Sequence, residues 1–494
     1  MKYILSANEM RILDTYTSES IGVSSEVLME RAALVCAEEI RSSGFDTSKI
    51  LIVCGNGNNG ADGLALARII NRFYKPDVFV LSDYRNLSGL VKKQYDSAAR
   101  SRVHFVNSPD FNEYTLIIDA IFGTGLSRTV DGMYLEVINN INNSGAKKIS
   151  VDIPSGVDAT SGRVLTEAVN ADITVSFAYT KLGQVLYPGA EKCGIIKVRD
   201  IGIYADLCDK LPHTAFTYTK KDLSLIPKRR KYSNKGSYGR VLTVNGSENM
   251  SGAALLCAKG AYKSGCGLVE VFTHKSIAET VRTVLPEAIV TAYSDEKVDF
   301  NALYDSINKA SAIVIGSGLS KSENARKILR YTLESSSVPT VIDADALNII
   351  AETPDLLPYL KGKIVTPHLG EASRLMNKSI DEIRENLISC AREFSNKYKC
   401  ICLLKDTRTV VAAENEPAFI NTAGNSGLAK GGSGDTLAGI IASLLSQGLS
   451  PADASRLGVF LHAHAADKVA EEKGEYAMLA SDVSDMVGKI MAEI

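Results

Sequence analysis

Four glycines within eight residues, Gly427, Gly431, Gly432 and Gly434, free the backbone between Asn425 and Thr436 to fold back and turn its N–H groups inward. The apolar run Leu437 to Leu445 behind them reads as a helix whose positive dipole end falls on the same spot. Such a turn cradles an anion, above all a phosphate. Asp435 lies in the first turn of that helix, where a carboxylate would compete with phosphate unless it faced a hydroxyl that must lose its proton. The alternative for Asp435 is an ordinary N-terminal cap. Upstream, polar groups follow short apolar runs: Gly318 after Ile313-Val-Ile, Asp343 and Asp345 after Val341-Ile, His368 and Glu371 after Ile364-Val, Lys405 after Leu403-Leu. A phosphate cradle, a lysine and nearby acids suit a phosphoryl donor, with magnesium carried on its phosphates. No G-x-x-x-x-G-K-[ST] occurs, so the chain is not a P-loop enzyme.

The first half holds a second set. Gly55, Gly57 and Gly60 match G-x-G-x-x-G, and Asp83 falls about where a ribose-binding acid would, the pattern of a dehydrogenase. Against that, Asn58, Asn59 and Asp62 crowd the turn with carbonyls and a carboxylate where a pyrophosphate needs bare N–H groups. They suit a cation or a polar substrate better. Asp119 and Asp152 close the runs Leu-Ile-Ile-Asp and Ile-Ser-Val-Asp. Each acid taken alone is equally well a loop or cap residue. Ligands of an open parallel sheet sit outside the carboxyl ends of its strands, so the Asn58 to Asp62 turn, Asp119 and Asp152 would converge on one crevice.

For these groups to meet, the apolar runs must be strands of parallel sheets. Ser6-Ala-Asn-Glu9 has capping-box spacing before a first helix, and a second helix is expected from about Ser25 to Ser42. Ile50 to Cys54, the glycine turn and Leu64 to Tyr74 open a strand–turn–helix rhythm that continues through strands at Val78–Leu81, Leu116–Asp119, Ile149–Ile153 and Ile173–Phe177. The rhythm fades between Tyr204 and Asn234, which includes the basic run Lys228-Arg-Arg-Lys231, read as a solvated loop, and resumes at Val241-Leu-Thr-Val. A boundary is expected near Tyr218, and 494 residues accommodate two or three domains. A composition of 45% apolar and 23% charged residues with net charge −2 argues against wholesale nucleic-acid or membrane binding. The Met1 to Leu5 start is too short for a signal peptide, and nine cysteines without a Cys-x-x-Cys fit free thiols in the cytoplasm. Cys400 and Cys402 read as core, and His462 and His464, two apart on a helix, form no metal cage.

Asn-Asn-Gly-Ala-Asp-Gly at 58–63, Asp-Ala-Ile-Phe-Gly-Thr-Gly-Leu at 119–126 and Val-Asp-Ile-Pro-Ser-Gly-Val-Asp at 151–158 resemble the signatures of the NAD(P)H-hydrate epimerase family, over nearly all of residues 1 to about 205. The resemblance implies interconversion of two configurations at a hydrated ring carbon, with Asp152 as the acid or base. It implies substrate contacts at Asn58, Asn59, Gly60, Ala61, Asp62, Gly123, Thr124, Gly125, Leu126, Ser127, Arg128, Thr129 and Asp152, and potassium at Asn59, Asp119 and Ser155. Ala61 departs from the usual glycine by one methyl, which narrows the pocket.

Lys-Gly-Ser-Tyr-Gly-Arg at 235–240, Asp-Ala-Asp-Ala-Leu-Asn at 343–348, Thr-Pro-His-Leu-Gly-Glu at 366–371 and Gly-Gly-Ser-Gly-Asp-Thr at 431–436 resemble the ADP- or ATP-dependent NAD(P)H-hydrate dehydratase branch of the ribokinase-like superfamily, over about 225–494. That resemblance implies Ala253, Gly318, His368 and Asp435 against the hydrated nucleotide. It implies Lys405, Asp406, Thr407, Arg408, Thr409, Asn425, Ser426, Gly427, Leu428, Ala429, Lys430, Gly431, Gly432, Ser433 and Gly434 around ADP or ATP. Phosphate would pass to the hydroxyl of the hydrated ring and then leave, with Asp435 taking the hydroxyl proton. Ser317 and Leu369 stand where that branch usually has proline, changes of loop stiffness rather than of a chemical group.

The expected fold class is therefore α/β in two domains: an N-terminal Rossmann-like three-layer sandwich over 1–218, and a C-terminal ribokinase-like α/β domain over 219–494. Joined, the resemblances imply bifunctional nicotinamide-nucleotide repair: epimerisation of (R)- and (S)-NAD(P)H hydrate, NADHX and NADPHX, and dehydration of the S form. Potassium, magnesium and ADP or ATP are the implied cofactors, with a homo-oligomer, no nucleic acid and no membrane. The rivals are a small-molecule kinase with a Rossmann-like regulatory half, and a non-enzymatic scaffold.

Overall fold

The computed structural model describes residues 1–204, 206–207, 211 and 215–493. Its contacts divide it into two compact units, Tyr3–Ala215 and Phe216–Ile494, the latter including Met1–Lys2. The change of unit lies close to Tyr218. Of the expected linker, Ala205, Cys208 to Lys210 and Pro212 to Thr214 fall outside the described residues. Lys228 to Lys231 are exposed, as a solvated loop should be.

In the first unit, seven strands form a parallel sheet in the spatial order His104–Phe105, Asp77–Val80, Ile50–Cys54, Leu116–Ala120, Lys147–Val151, Ile173–Phe177 and Ile195–Arg199. The alternation of the pleat explains why Ile50–Cys54 is apolar throughout. Ile50, Ile52 and Cys54 pack with the helices Ser25–Ser42 and Asn58–Ile70, while Leu51 and Val53 pack on the other face with Gly132–Asn143. Helices on both faces make the three-layer sandwich. The chain leaves Ile50–Cys54 toward one edge and returns to Leu116–Ala120 on its other side, so a crevice opens between the ends of these two strands. Ser6 begins the first helix, Ala7–Thr15, through the expected capping box with Glu9.

In the second unit, parallel strands run in the order Ile289–Tyr293, Leu268–His274, Arg240–Val244, Ala312–Ile315, Thr340–Ile342, Ile364–Val365 and Ile401–Leu404, continued by the antiparallel Val410–Ala412 and Ala418–Ile420. The order reverses between Arg240–Val244 and Ala312–Ile315. Over it lie the helices Ser251–Lys263 and Ser433–Ser446. They touch through glycine: a Cβ on Gly439 would stand 2.0 Å from the Cys257 carbonyl oxygen, and one on Gly260 2.6 Å from that of Thr436. That close crossing fixes where the glycine loop before Ser433 ends.

Candidate active sites

The crevice of the first unit is a cavity of about 1040 Å³. Asn58, Asn59, Asp62, Asp152 and every residue from Gly123 to Arg128 line it, as do Asp14 and Arg11 from the first helix. Gly60 and Ala61 do not. Ala61 is fully buried in the core, so its methyl packs inward and leaves the pocket unchanged, contrary to the narrowing expected of it. A Cβ on Gly60 would meet the Gly55 carbonyl oxygen at 2.0 Å, which ties that glycine to the tightness of the turn rather than to a ligand. Thr129 is also off the lining, and Asp83 spends its carboxylate on Arg85, which removes the dehydrogenase signature.

Asp119 and Ser155 are buried and do not line the cavity, contrary to the convergence expected of Asp119, because the Asp119 carboxylate is spent on hydrogen bonds within the fold. Asp119 is fully buried and accepts from Ser155 Oγ at 2.5 Å and Ile121 N at 3.2 Å on Oδ1, and from Ser150 Oγ at 2.8 Å and Ser155 N at 2.9 Å on Oδ2. Burial pushes its carboxyl up, and these donors pull against it. Asn59 donates from Nδ2 to the Phe122 carbonyl at 2.9 Å, while its Oδ1 is buried without a hydrogen-bond partner. Asp152 has φ 67°, a left-handed conformation costly for a non-glycine residue, held by hydrogen bonds that include its N–H to the Val175 carbonyl at 2.9 Å. Its Oδ1 accepts from the fully buried Lys181 ammonium and from Phe177 N at 3.2 Å, and its carbonyl accepts from Gln184 Nε2 at 2.7 Å. Lys181 completes its coordination with Ser176 Oγ at 3.0 Å and the Phe177 carbonyl at 2.9 Å.

In the second unit the expected groups converge on the carboxyl ends of the parallel strands. Lys405 Nζ donates to Asp343 Oδ1 at 3.0 Å, joined there by Thr366 Oγ1 at 2.6 Å, and Ser317 Oγ donates to Oδ2 at 3.2 Å. Burial works against the Asp343 carboxylate, yet Lys405 and the hydroxyl donors outweigh it and hold it below its ordinary range. Burial likewise opposes the Lys405 charge, and Asp343, Glu371 and Asp435 together push that ammonium up. Gly434 abuts this pair: a Cβ there would lie 3.4 Å from Lys405 Nζ and 4.0 Å from Asp343 Oδ2.

The helix Ser433–Ser446 begins at Gly432, φ 93°, with no side-chain cap, and among the described residues no hydrogen bond occupies the N–H of Gly434 or Asp435. Asp435 is thus not a cap. Burial and then the Asp343 charge push its carboxyl up to about 6, with Ser317 and Lys405 pulling down and Asp345 adding to the rise. His368 caps the helix Leu369–Met376, its Nδ1 accepting from Gly370 N at 2.9 Å and Glu371 N at 3.3 Å. Burial and Lys405 lower its pKa, which suits an imidazole whose Nδ1 must stay unprotonated. Gly318, φ 64°, abuts Ala253, whose Cβ would lie 2.8 Å from a Cβ on the glycine.

In the loop from Asn425 to Lys430, side chains mainly fasten the chain: Asn425 Nδ2 donates to Asp467 at 3.0 Å, Ser426 to Glu475, and Lys430 to the carbonyls of Tyr476 and Met478 at 2.6 and 2.7 Å. Arg408 donates to the Thr422 carbonyl at 3.0 Å. What this loop offers a ligand is its backbone.

The model of the NAD(P)H-hydrate dehydratase family matches residues 241–489, and that of the YjeF-related protein N-terminus matches 25–183. The bifunctional NAD(P)H-hydrate repair enzyme of Thermofilum pendens is 36% identical over 99% of this chain and 96% of its own length, and that of Escherichia coli 31% identical over 98% and 93%. The chain belongs to the bifunctional NAD(P)H-hydrate repair enzymes. A ribokinase-like superfamily protein from Enterococcus faecalis, 28% identical, covers 57% of this chain and 96% of its own with a TM-score of 0.53.

A repair enzyme of this family is neither of the two rivals, the regulated kinase and the scaffold. Four polar residues at its two sites escaped the sequence reading. Lys181 lies in the two-residue strand Thr180–Lys181, too short to show a pattern. Thr366 stands in the Thr-Pro-His-Leu-Gly-Glu motif with no role assigned to it, and Ser317 counted as loop stiffness although its hydroxyl, like that of Thr366, binds a buried carboxylate. Asp14 sits on what read as a packing helix; an acid facing the cavity side of that helix was the available signal.

Proposed function

We propose that the unit Tyr3–Ala215 epimerises the hydrates of NADH and NADPH, and that the unit Phe216–Ile494 dehydrates the S form by phosphorylating it from ADP or ATP. The observation that carries the second half is the juxtaposition of open helix N–H groups at Gly434 and Asp435 with Lys405 and the uncapped Asp435 carboxylate. The N–H groups and Lys405 receive the transferred phosphoryl group, and Asp435 takes the proton of the attacking hydroxyl. The O–P bond to the donor breaks as the substrate's C–O–P bond forms; phosphate then leaves carbon with its bonding pair, and loss of the neighbouring proton restores the ring double bond. His368, Ala253 and Gly318 bound the substrate side.

Magnesium would come bound to the donor's phosphates, keeping several of its waters, and supplies charge neutralisation there. No cluster of three His, Cys, Asp or Glu side chains suited to a metal exists among the described residues. In the first unit, the partnerless Asn59 Oδ1 fits a cation that accepts neutral oxygens. Potassium would be held by Asn59, Asp119 and Ser155 and supplies positive charge beside the Gly123 to Thr129 turn. Buried, free cysteines throughout the described residues support a reducing cytoplasm. The edge strand Ile195–Arg199, with Ile195 and Val198 exposed, supports self-association. No helix among the described residues is long and apolar enough to cross a membrane.

The deciding experiment follows recovery of reduced-nicotinamide absorbance from a mixture of both hydrate epimers, with ADP, ATP or neither, in potassium and in sodium. Complete donor-dependent recovery faster than spontaneous epimerisation is expected. No recovery with either donor would refute the dehydration scheme.

A further inference from the structure

Among the carboxylates lining the first unit's cavity are three from three different elements: Asp14 of the helix Ala7–Thr15, Asp62 of Asn58–Ile70, and Asp152 after Lys147–Val151. They are not equivalent. Asp152 is ion-paired with Lys181, whereas Asp14 and Asp62 have no hydrogen-bond or ion-pair partner for their carboxylates among the described residues. Asn59, which lines the same cavity, keeps its buried Oδ1 without a hydrogen-bond partner, the atom that fits a cation beside these carboxylates. The helix carrying Asp14 lies before the segment 25–183 matched by the family model. It is nonetheless anchored to the site: Ser6 and Glu9 cap it, Ala7 N donates to Thr160 Oγ1 at 3.1 Å, and it runs into the π-helical turn Tyr16–Ser20 just past Asp14. The strand Lys2–Leu5 before it pairs Leu5 with Lys181, which registers the start of this helix against the Asp152 ion pair.

We propose that Asp14 is the proton donor of the epimerising cavity, working against Asp152 as the proton acceptor; this rests on the epimerase reading above. The groups facing Asp14 are Asp62, Asp152 and Lys181, with Arg11, Arg128 and Asp158 around the rim and the Cys36 thiol behind Asp62 and Asp152. Burial pushes the Asp14 carboxyl up to about 6, the Asp152 charge adds to the rise and Lys181 opposes it. Burial, with Asp152 and Asp14, pushes Asp62 well above its ordinary range. An acid that must give and regain a proton each turnover works best near the operating pH, which favours the cavity-lining, partnerless Asp14 over Asp62.

A dihydronicotinamide is an enamine, so its hydrate bears the hydroxyl on the carbon bonded to the ring nitrogen. In the proposed step the nitrogen lone pair forms C=N as the C–O bond breaks, and the departing oxygen takes the Asp14 proton and leaves as water. Water then adds to the opposite face, the C=N pair returns to nitrogen, and the proton released by that water goes to Asp152. The carbon is inverted, Asp14 has lost one proton and Asp152 gained one, and exchange with solvent resets the pair.

The test uses the full chain, the epimer mixture and excess donor, in which dehydration of the S form is the fast phase and epimerisation the slow one. Asp14→Asn should slow the second phase by about 10²-fold or more while the first is unchanged. The wild-type slow phase should decline as pH rises above about 6, because the acid form of Asp14 is consumed. That decline should vanish from the residual activity of Asp14→Asn and persist in Asp14→Glu. A variant within threefold of wild type, a residual rate that keeps the same decline, or loss of epimerisation in Asp62→Asn but not Asp14→Asn would each overturn the assignment. A wild-type slow phase no faster than spontaneous exchange would overturn the epimerase reading and this proposal together, and so is distinguishable from failure of Asp14 alone.

Discussion

Asp435 combines a carboxyl lifted to about 6 with a position beside open N–H groups, so near neutrality it is mostly ionised and still basic enough to take a proton. A base must be deprotonated, so dehydration should fall as pH drops through about 6 and hold above it. Asp435→Asn should reduce the dehydration rate by about 10²- to 10⁴-fold and leave donor binding measurable by calorimetry. Unchanged turnover would remove Asp435 from the mechanism. Ser317 is the finer probe. Its hydroxyl donates to Asp343 and lowers the Asp435 carboxyl, so Ser317→Ala should shift the acid limb of the dehydration profile to higher pH. An unmoved limb would return Ser317 to the loop-stiffness role read from sequence. The sequence placed Asp343 and Lys405 at strand ends because an apolar run followed by a polar residue is a local signal, and it placed Asp435 in the first turn of a helix because a glycine turn before an apolar run is another. Lys181 gave none: its partner lies 29 residues earlier, too far along the chain for a local pattern to show.

At the scale of elements, the helices that carry a site are set by how closely they cross. The small-residue pattern of Ser251–Lys263 was legible, but its cause was not: Gly260 and Gly439 let two backbones touch. Gly439→Ala forces a methyl to within 2.0 Å of the Cys257 carbonyl oxygen unless the helices part. Overpacking of this kind costs about 1–3 kcal/mol, to be read by denaturant unfolding, and dehydration should suffer with it because the parting helix carries Asp435. Wild-type stability in Gly439→Ala would show the crossing to be slack. The apolar central strands were legible throughout, since strands buried on both faces are continuous hydrophobic runs. Leu268–His274 was not, because it holds Glu270 in its middle. That carboxylate is buried with Arg240, Thr291 Oγ1 at 2.8 Å and Ser306 Oγ at 2.7 Å, partners drawn from three other elements.

Across the whole molecule, each unit carries its own sheet, its own reversal of strand order and its own acid–base equipment, so the two activities should separate by single substitutions. Only one of two epimers is dehydrated, and a molecule lacking the first activity must wait for the other to convert unaided. Asp152→Asn removes the acceptor that Lys181 holds at the cavity. Recovery of reduced nicotinamide from an epimer mixture should then split into a fast phase equal to the S share and a slow phase at the spontaneous rate, whereas Asp435→Asn should abolish both phases of recovery yet leave epimer exchange running, as chromatography of the two hydrates would show. If Asp435→Asn also stopped exchange, or Asp152→Asn also stopped the fast phase, the activities would not reside in separate units.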